Sequence, residues 1–356
     1  WFDEPTLPAG TGANQWNSAT RSARSEFPAM ALIVADNDSG GTSTVSIYDL
    51  DDVAAPLWLQ FSQGGSYPSA VMLGRTAPDI TSVYMLNGRL CVGIDDSGYG
   101  EALAVISFPE DNGIMYSTVS WGLGQNIANR NTSTTVDAGT SAGDIVNIVV
   151  NDVAATWLEG GELDSMGLVR PVIACATVGG VSVIHPSGDV FDIQSSNASY
   201  RISDEIQIDK NFVYFPLDST TTNARTLQVH PIPYADSDPN IADGAVTDKY
   251  ATSTSGTAVM PRYLGSNTLR LAKFDGGFGV GTTSGLSIFK DNTGNRGEQA
   301  VAFVTSTYNT GYQIGDIRFA GLAGNGTADE EREDRSVKGN DLAETGTVPS
   351  AVVATG

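Results

Sequence analysis

The stretch that decides the fold spans residues 172–184 and reads VIACATVGGVSVI. An uninterrupted apolar run over 172–176 leads through a turn containing Gly179 and Gly180 into a second run over 181–184, in which polar Ser182 interrupts apolar residues. Short apolar runs bounded by turn residues are typical of buried β-strands, and alternation is typical of strands with two different faces. The stretch therefore predicts an antiparallel hairpin with well-buried strands.

Four further copies of this two-strand unit lie along the chain. They pair residues 31–35 with 44–48, 90–94 with 103–106, 278–281 with 286–289 and, more weakly, 212–215 with 227–230. Further strands are predicted at 83–86, 113–116, 145–150, 205–208 and 300–304, and a sixth unit is a candidate around 145–158. The units recur roughly every 45–80 residues, a spacing that suits propeller blades of about 40–50 residues carrying insertions.

The sequence therefore predicts an all-β, β-propeller-like fold with five to seven blades, long loop insertions and a polar C-terminal extension. Residues 1–28 are expected to form an N-terminal extension packing on the propeller, and 29–323 the propeller-like domain. Residues 324–356 are polar and charged and are expected to begin with a charged linker. A β-sandwich, which also has short strands and polar turns, stays open as the alternative.

The charge balance limits the kinds of partner that the chain can bind. The 356 residues include 41 acidic and 19 basic ones, which gives a formal net charge of −22. Such a field repels the phosphate backbone, so we predict no nucleic-acid partner. No apolar run approaches about 18 residues, so no membrane insertion is predicted.

The cysteines and histidines carry no motif. Cys91 and Cys175 both fall in predicted buried strands, which favours two free thiols, although a disulfide between them stays open. His185 is placed at a strand-to-turn junction and His230 on a strand, both as turn or surface residues. No zinc, nucleotide or nucleophile motif surrounds these residues.

The C-terminal part carries a family resemblance. Residues 306–320 read STYNTGYQIGDIRFA, and DRSVKGNDL over 334–342 and GTV over 346–348 follow. These stretches resemble segments of large virion-associated tail proteins of tailed bacteriophages, in which a propeller-like region precedes a concanavalin-like (laminin-G-like) domain. The resemblance implies that residues 324–356 form a charged linker and the start of a truncated lectin-like domain. It also implies a structural component of a tail fibre or tail tip, located in the virion tail and extracellular when it functions. Its implied partners are other tail proteins, copies of itself and a host surface receptor.

Candidate sites are few, and none of them is catalytic. The turn 36–40 and the segment 291–295 resemble calcium loops, so Asp36, Asp38 and Asp291 are candidate Ca²⁺ ligands, although neither loop has the closing glutamate of an EF-hand. Trp121, Tyr67 and Tyr99 are candidate ligand-binding aromatics near turns. No other cofactor is predicted.

Hydrolysis is the competing function. Propeller glycosidases use paired carboxylates, but the candidate glutamates are scattered without a spacing signal; they are Glu101, Glu110, Glu159, Glu162 and Glu205. The sequence therefore predicts a non-enzymatic tail component involved in host attachment or tail assembly. Two alternatives remain: a carbohydrate-binding or glycoside-cleaving propeller of a secreted bacterial protein, and a propeller interaction module of such a protein.

Overall fold

A computed structural model describes the chain over 27–37, 42–64, 69–75, 79–95, 100–118, 121–123, 126–131, 134–135, 137–138, 143–195, 203–218, 225–237, 248–251, 270–274, 277–282, 285–290, 300–304 and 317–322. Antiparallel β-strands dominate these residues. The only helix among them is the single 3₁₀ turn Ile127–Asn129, and none is long and apolar enough to cross a membrane.

The strands are numbered in chain order. The first twelve are β1 (Ala31–Asp36), β2 (Thr44–Asp49), β3 (Leu57–Ser62), β4 (Ser69–Ala70), β5 (Asp79–Leu86), β6 (Arg89–Asp95), β7 (Leu103–Ser107), β8 (Asn112–Tyr116), β9 (Trp121–Leu123), β10 (Thr134–Thr135), β11 (Asp137–Ala138) and β12 (Val150–Thr156). The others are β13 (Val172–Thr177), β14 (Gly180–Ile184), β15 (Val190–Ile193), β16 (Gln207–Ile208), β17 (Phe212–Asp218), β18 (Arg225–Pro231), β19 (Asp248–Ala251), β20 (Arg270–Phe274), β21 (Gly277–Thr282), β22 (Gly285–Lys290), β23 (Ala300–Val304) and β24 (Ile317–Leu322).

In the described residues, five sheets follow one another along the chain. Sheet I has the order β1-β2-β3, sheet II β11-β9-β8-β7-β6-β5, sheet III β12-β13-β14-β15, sheet IV β16-β17-β18-β19 and sheet V β20-β21-β22-β23-β24. A small ladder joins β4 to β10. Every strand pairing is antiparallel, and neighbours in the sheets are nearly always neighbours in sequence, so each sheet is a meander. Each of the five predicted two-strand units falls in a different sheet and is confirmed as a hairpin there.

The position of the unit within the sheet differs in one case. In sheets II to V it supplies the second and third strands, whereas in sheet I it supplies the first two. Burial follows this difference: β6 and β13 are almost wholly buried, while β1 is mostly exposed. The first strands of sheets I and II are thus partly exposed, whereas β12, the first strand of sheet III, is mostly buried.

Two predictions about residues 145–158 are wrong. Residues 145–149 do not form a strand, because side chains take their amides: Val146 N–H donates to Ser182 Oγ (2.9 Å) and Val149 N–H to Asn147 Oδ1 (2.9 Å). The strand β12 begins only at Val150, and it is the first strand of sheet III rather than a sixth unit.

Local turn chemistry explains the tightest hairpin. Asn87 and Gly88 connect β5 to β6, and both have positive φ angles of 49° and 73°. An Asn-Gly pair with positive φ at both positions matches the twist of the flanking strands, since asparagine and glycine tolerate the left-handed region best. This turn fixes the register that pairs Leu86 with Arg89.

The chain divides into two compact units. Sheets I, II and III belong to the first, which covers residues 1–193 and 234–236, and sheets IV and V belong to the second. In the first unit one apolar cluster joins sheets I and II, and a second joins sheets II and III. In the second unit a cluster around Tyr214, Phe278 and Phe289 joins sheets IV and V.

The first strands of sheets I, II and III are neighbours. Asn37, directly after β1, uses its side-chain amide to bond both the N–H and the C=O of Ile80 in β5, each at 2.9 Å. On the other side, Thr81 Oγ1 donates to Val150 O of β12 (2.6 Å), and Ser82 Oγ donates to the carboxylate of Asp152 (2.7 Å). Side-chain hydrogen bonds thus take the place of a backbone ladder between successive sheets.

Both cysteines and one tryptophan are buried in the first unit. Cys91 and Cys175 are both free and buried in one cluster, which confirms the two-thiol alternative. Burial raises the pKa of each thiol to about 12. Trp58 is fully buried, and Phe27 contacts it edge-on at 4.9 Å between ring centroids. The extension 1–28 otherwise lies outside the described residues, as do 324–356.

Candidate functional site

The predicted ligand residues lie where the structure says little about them. Asp36 is the exposed last residue of β1, and Trp121 begins β9 without a described side chain. Asp38, Asp291, Tyr67 and Tyr99 lie outside the described residues. Within the described ranges no three His, Cys, Asp or Glu side chains are grouped as a metal site would need. The calcium and aromatic assignments therefore stay predictions.

The most distinctive surface feature is a small hairpin in the loop between β12 and β13. We call residues 162–170 the braced hairpin. Leu163 and Val169 form an isolated antiparallel bridge, Arg170 N–H donates to Glu162 O (2.7 Å), and Asp164 N–H donates to Leu168 O (2.8 Å). A tight turn closes it, with Gly167 at φ 77° and its N–H bonded to Asp164 O.

Asp164 holds this turn from inside. Its Oδ1 accepts the backbone N–H groups of Met166 and Leu168, both at 2.9 Å, as aspartates in turns commonly do. Its Oδ2 accepts from Arg89 Nη1 at 3.0 Å, and its side chain has no exposed surface. One carboxylate therefore shapes the turn and ties it to the start of β6.

The ionic contacts continue as an alternating chain. Arg89 Nη2 bonds Glu110 Oε1 at 3.3 Å, and the same oxygen pairs with Arg170 Nη2. Arg170 Nε lies 3.5 Å from Glu162 Oε1. Two guanidinium groups thus connect three carboxylates, and they tie the braced hairpin to the turns of sheet II. Asn87 adds a hydrogen bond from its amide to Val169 O (2.8 Å).

The protonation of Asp164 follows from these contacts. Burial alone would raise the pKa of its carboxyl group, but the hydrogen bonds from Arg89 and from the amides of Leu168 and Met166 outweigh burial. The pKa is therefore held below its usual range, and the group is charged at neutral pH.

The outer side of the braced hairpin is apolar. Leu163 is 58% exposed and Met166 is 52% exposed, although hydrogen bonds to Asp164 hold the backbone of the turn. Trp157, which follows β12 at the start of the same loop, is 39% exposed. Large apolar side chains on a rigid turn are typical of binding surfaces rather than of loops that only connect strands.

A second group of polar residues lies at the outer edge of sheet III. Ser182 Oγ donates to Asp192 Oδ1 at 2.6 Å across the β14-β15 pair, and Asp192 N–H donates to Asp236 Oδ1 at 3.0 Å. Burial raises the pKa of Asp192, the hydrogen bond from Ser182 partly offsets this, and the charge of Asp236 raises it further. Asp192 and Asp236 are thus neighbouring carboxyl groups, and the raised pKa of Asp192 favours its protonated form.

Aromatic rings accompany this pair in the first unit. His185 follows β14 at the predicted strand-to-turn junction, but it is buried rather than on the surface, because Phe191 (5.2 Å) and Tyr234 (4.7 Å) cover its ring. Tyr234 is itself 71% exposed. His230 lies on β18 as predicted, and burial lowers its pKa.

The glutamates named from the sequence do not form an acid–base pair. Glu101 is fully buried against Arg75, whose Nε lies 2.7 Å from Oε1, and Glu205 pairs with Arg270. Glu110 and Glu162 are brought together, but through the guanidinium of Arg170. Each of these four glutamates therefore contacts an arginine, whereas a glycosidase places two carboxyl groups on either side of the scissile bond.

Comparisons with known proteins find no family. No protein-family model matches the chain, and no curated protein matches its sequence. Among solved structures, hydrazine synthase from Kuenenia stuttgartiensis matches with a TM-score of 0.36 at 10% identity, over 78% of this chain and 60% of that one. The GH43 endo-arabinanase from Bacillus licheniformis matches with a TM-score of 0.26 at 12% identity, over 79% of this chain and 94% of that one.

A third match is apo AztD from Citrobacter koseri, with a TM-score of 0.27 at 10% identity over 73% of this chain and 91% of that one. The chain spans less than two thirds of the hydrazine synthase chain. Identities and TM-scores this low carry no argument about what the chain does.

Sequence reasoning missed the braced hairpin. One signal was present: Leu163-Asp164-Ser165-Met166-Gly167 places two large apolar residues around an Asp-Ser turn ending in glycine. Asp, Ser and Gly in this order are typical of a turn, which would place the two apolar residues at the surface. The exposed ring of Tyr234 was likewise not predicted from the sequence.

Proposed function

We propose that this chain is a β-propeller-like binding module of a bacteriophage tail, in a tail fibre or tail tip, and that it works by presenting rigid surfaces rather than by catalysis. The observation that carries the binding part is the braced hairpin, which exposes Leu163 and Met166 on a turn held by Asp164.

The blade interpretation has support from the sheets. Each of the five is an antiparallel meander of chain-consecutive strands, as propeller blades are. In the first unit the leading strands β1, β5 and β12 lie beside one another, linked through Asn37, Thr81 and Ser82. Inner strands of successive blades are expected to be neighbours in this way.

A binding role is favoured over hydrolysis by the partners of the named glutamates. Glu101, Glu110 and Glu205 each contact an arginine, whereas a glycosidase needs two carboxyl groups that face the scissile bond. The setting in a phage tail is supported by the resemblance of residues 306–320 to tail proteins. Of that stretch, 317–320 lie in β24 at the edge of sheet V.

The setting can be tested on particles of a phage that encodes this sequence. Immunogold labelling with antibodies raised against the purified chain should mark the tail, and antibody preabsorbed with the chain is the control. Label confined to the capsid, or no specific label on particles, would contradict the proposal.

Carbohydrate binding is a second candidate function, because one observation favours it. Tyr234 exposes most of its ring against buried His185, in the segment that also carries Asp236. Exposed aromatic faces near carboxylates are suited to sugar rings, which stack on the face and bond to the oxygens.

A glycan array with the purified chain tests this candidate. Tyr234→Ala should abolish any glycan signal, whereas Phe274→Ala, which removes a 45% exposed aromatic ring from the second unit, should leave it unchanged. Equal signals from both variants and the native chain would exclude Tyr234 as a sugar platform.

A further inference from the structure

We infer that the braced hairpin binds a polypeptide in which lysine or arginine residues flank apolar side chains. This inference rests on the proposed binding function and names the chemistry of the partner. The argument uses the exposed apolar residues, the rigidity of the turn and the sign of the surrounding charge.

The apolar anchors are close in sequence and fixed in orientation. Leu163 and Met166 flank the turn 164–167, so both emerge from one tight loop, and each keeps more than half of its surface in water. Burying a leucine or methionine side chain fully contributes about 1.5–3 kcal/mol, equivalent to about tenfold to a hundredfold in Kd. These two residues can therefore supply a central apolar contact.

The turn loses little conformational freedom on binding. Asp164 bonds two amides of the turn and Arg89 at once, and Asn87 bonds Val169 O. A preorganised loop binds more tightly than a flexible one with the same contacts, because ordering has already occurred in folding.

The charge around the anchors is negative and selects the partner. Glu159 and Glu162 are exposed in the same loop as the apolar anchors, whereas Arg89 is buried and bonded to Asp164 and Glu110. Arg170 also contacts carboxylates, those of Glu110 and Glu162. The four carboxylates thus outnumber the two guanidinium groups by two, so the surroundings of the anchors favour cationic groups on a partner, and the net charge of −22 attracts such a partner at longer range.

Four short fluorescein-labelled peptides serve as probes in fluorescence anisotropy. One alternates lysine with leucine, one glutamate with leucine, one serine with leucine and one lysine with serine. We expect the lysine–leucine peptide to bind best, and its affinity to fall as salt rises, because screening weakens exposed charge pairs. The lysine–serine peptide measures non-specific attraction to the acidic chain.

Matched variants locate the binding site. Leu163→Ser with Met166→Ser should weaken the lysine–leucine peptide about tenfold or more, since both anchors are lost. Leu32→Ser with Val34→Ser removes two apolar residues of 48% and 37% exposure from β1 and should have no comparable effect.

A second pair of variants tests the charge. Glu159→Gln with Glu162→Gln should weaken the same peptide about threefold to tenfold and flatten its salt dependence. The control, Asp52→Asn with Asp79→Asn, removes two exposed carboxylates elsewhere in the first unit and should leave both the affinity and its salt dependence unchanged.

The possible outcomes distinguish the charge of the partner from the binding function itself. If the serine–leucine or glutamate–leucine peptide binds the hairpin as tightly as the lysine–leucine one, the partner is not cationic, although the binding function stands. If the Leu163 and Met166 variants bind the lysine–leucine peptide as the native chain does, the hairpin is not its site and the inference is overturned. Absence of the chain from phage tails would contradict only the proposed setting.

Discussion

Replacing Asp164 with alanine should destabilise the braced hairpin more than any other single change in it. Its carboxylate has no exposed surface, bonds Arg89 at 3.0 Å, and accepts the N–H groups of Met166 and Leu168. Alanine removes all three interactions and leaves the guanidinium of Arg89, whose side chain is only 7% exposed, with Glu110 as its described carboxylate and with the carbonyl of Asn87.

The magnitude follows from these contacts. Removing one partner of a buried ion pair costs about 3–5 kcal/mol. Arg89 keeps Glu110, so we expect the lower end, about 3 kcal/mol. Asp164→Asn keeps an oxygen for the two turn amides but replaces the oxygen that accepts from Arg89 with an NH₂ donor, so about 1–3 kcal/mol is expected.

The assay combines a global and a local measurement. Urea unfolding followed by tryptophan fluorescence gives the midpoint, and hydrogen exchange of the Met166 and Leu168 amides reports the turn itself. Asp52→Ala is the matched control, since exposed Asp52 also caps a turn amide, that of Ala54, but has no ion pair in a buried setting. Its cost should stay near 0.5–1 kcal/mol, at about the level of a lost exposed cap.

The pH dependence of stability tests whether the Asp164 carboxyl group stabilises the fold in its ionised form. The pKa of Asp164 is lowered by folding, so its contribution is present above the unfolded pKa of about 3.9 and is lost as pH falls through the lower folded value. The difference between the native chain and Asp164→Ala should therefore shrink only below about pH 4. Alanine and asparagine variants that both unfold like the native chain, with unchanged amide exchange, would refute this reasoning.

Three further predictions concern the first unit. Asp192→Asn should be neutral or stabilising at pH 7 and less so at pH 4. Folding raises the pKa of Asp192, so ionisation of its carboxyl group above the unfolded pKa of about 3.9 opposes folding. Urea midpoints at the two pH values check this, and a loss of stability that is larger at pH 7 would contradict it. Cys91 and Cys175 should resist iodoacetamide at pH 8 until the chain is unfolded, because burial raises both pKa values to about 12; rapid labelling of the native chain in mass spectrometry would disprove this. Gly93→Ala should cost about 1–3 kcal/mol, since its Cβ would lie 2.9 Å from a methyl group of β12, whereas Gly281→Ala, with its nearest atom at 3.7 Å, should cost less in the same unfolding assay; equal costs would argue against a close approach at Gly93.

The repeated hairpins could be predicted because their signal is local. An apolar run, a turn and an alternating run specify strands and their register within a few residues, as the Asn87-Gly88 turn illustrates. The error at 145–149 has the opposite cause. Its apolar residues suggest a strand, but Asn147 and distant Ser182 take the amides that a ladder would use.

The braced hairpin could not be predicted because its contacts are distant in sequence. Arg89 and Asp164 are 75 residues apart, and no pattern near either residue indicates the other. Glu110 and Glu162 stand in the sequence without a spacing signal, and their arginine partners become visible only when the sheets are assembled. Tyr234 is similar, since its place beside His185 depends on a segment that joins sheet III from a later part of the chain.

Electron cryomicroscopy of the tail of a phage that encodes this sequence tests the central claim most directly. The account predicts that the chain is present in the tail and that density from another polypeptide covers Leu163 and Met166 of the braced hairpin. A tail in which the chain is present but both side chains face solvent in every copy, or in which the chain is absent, would contradict it.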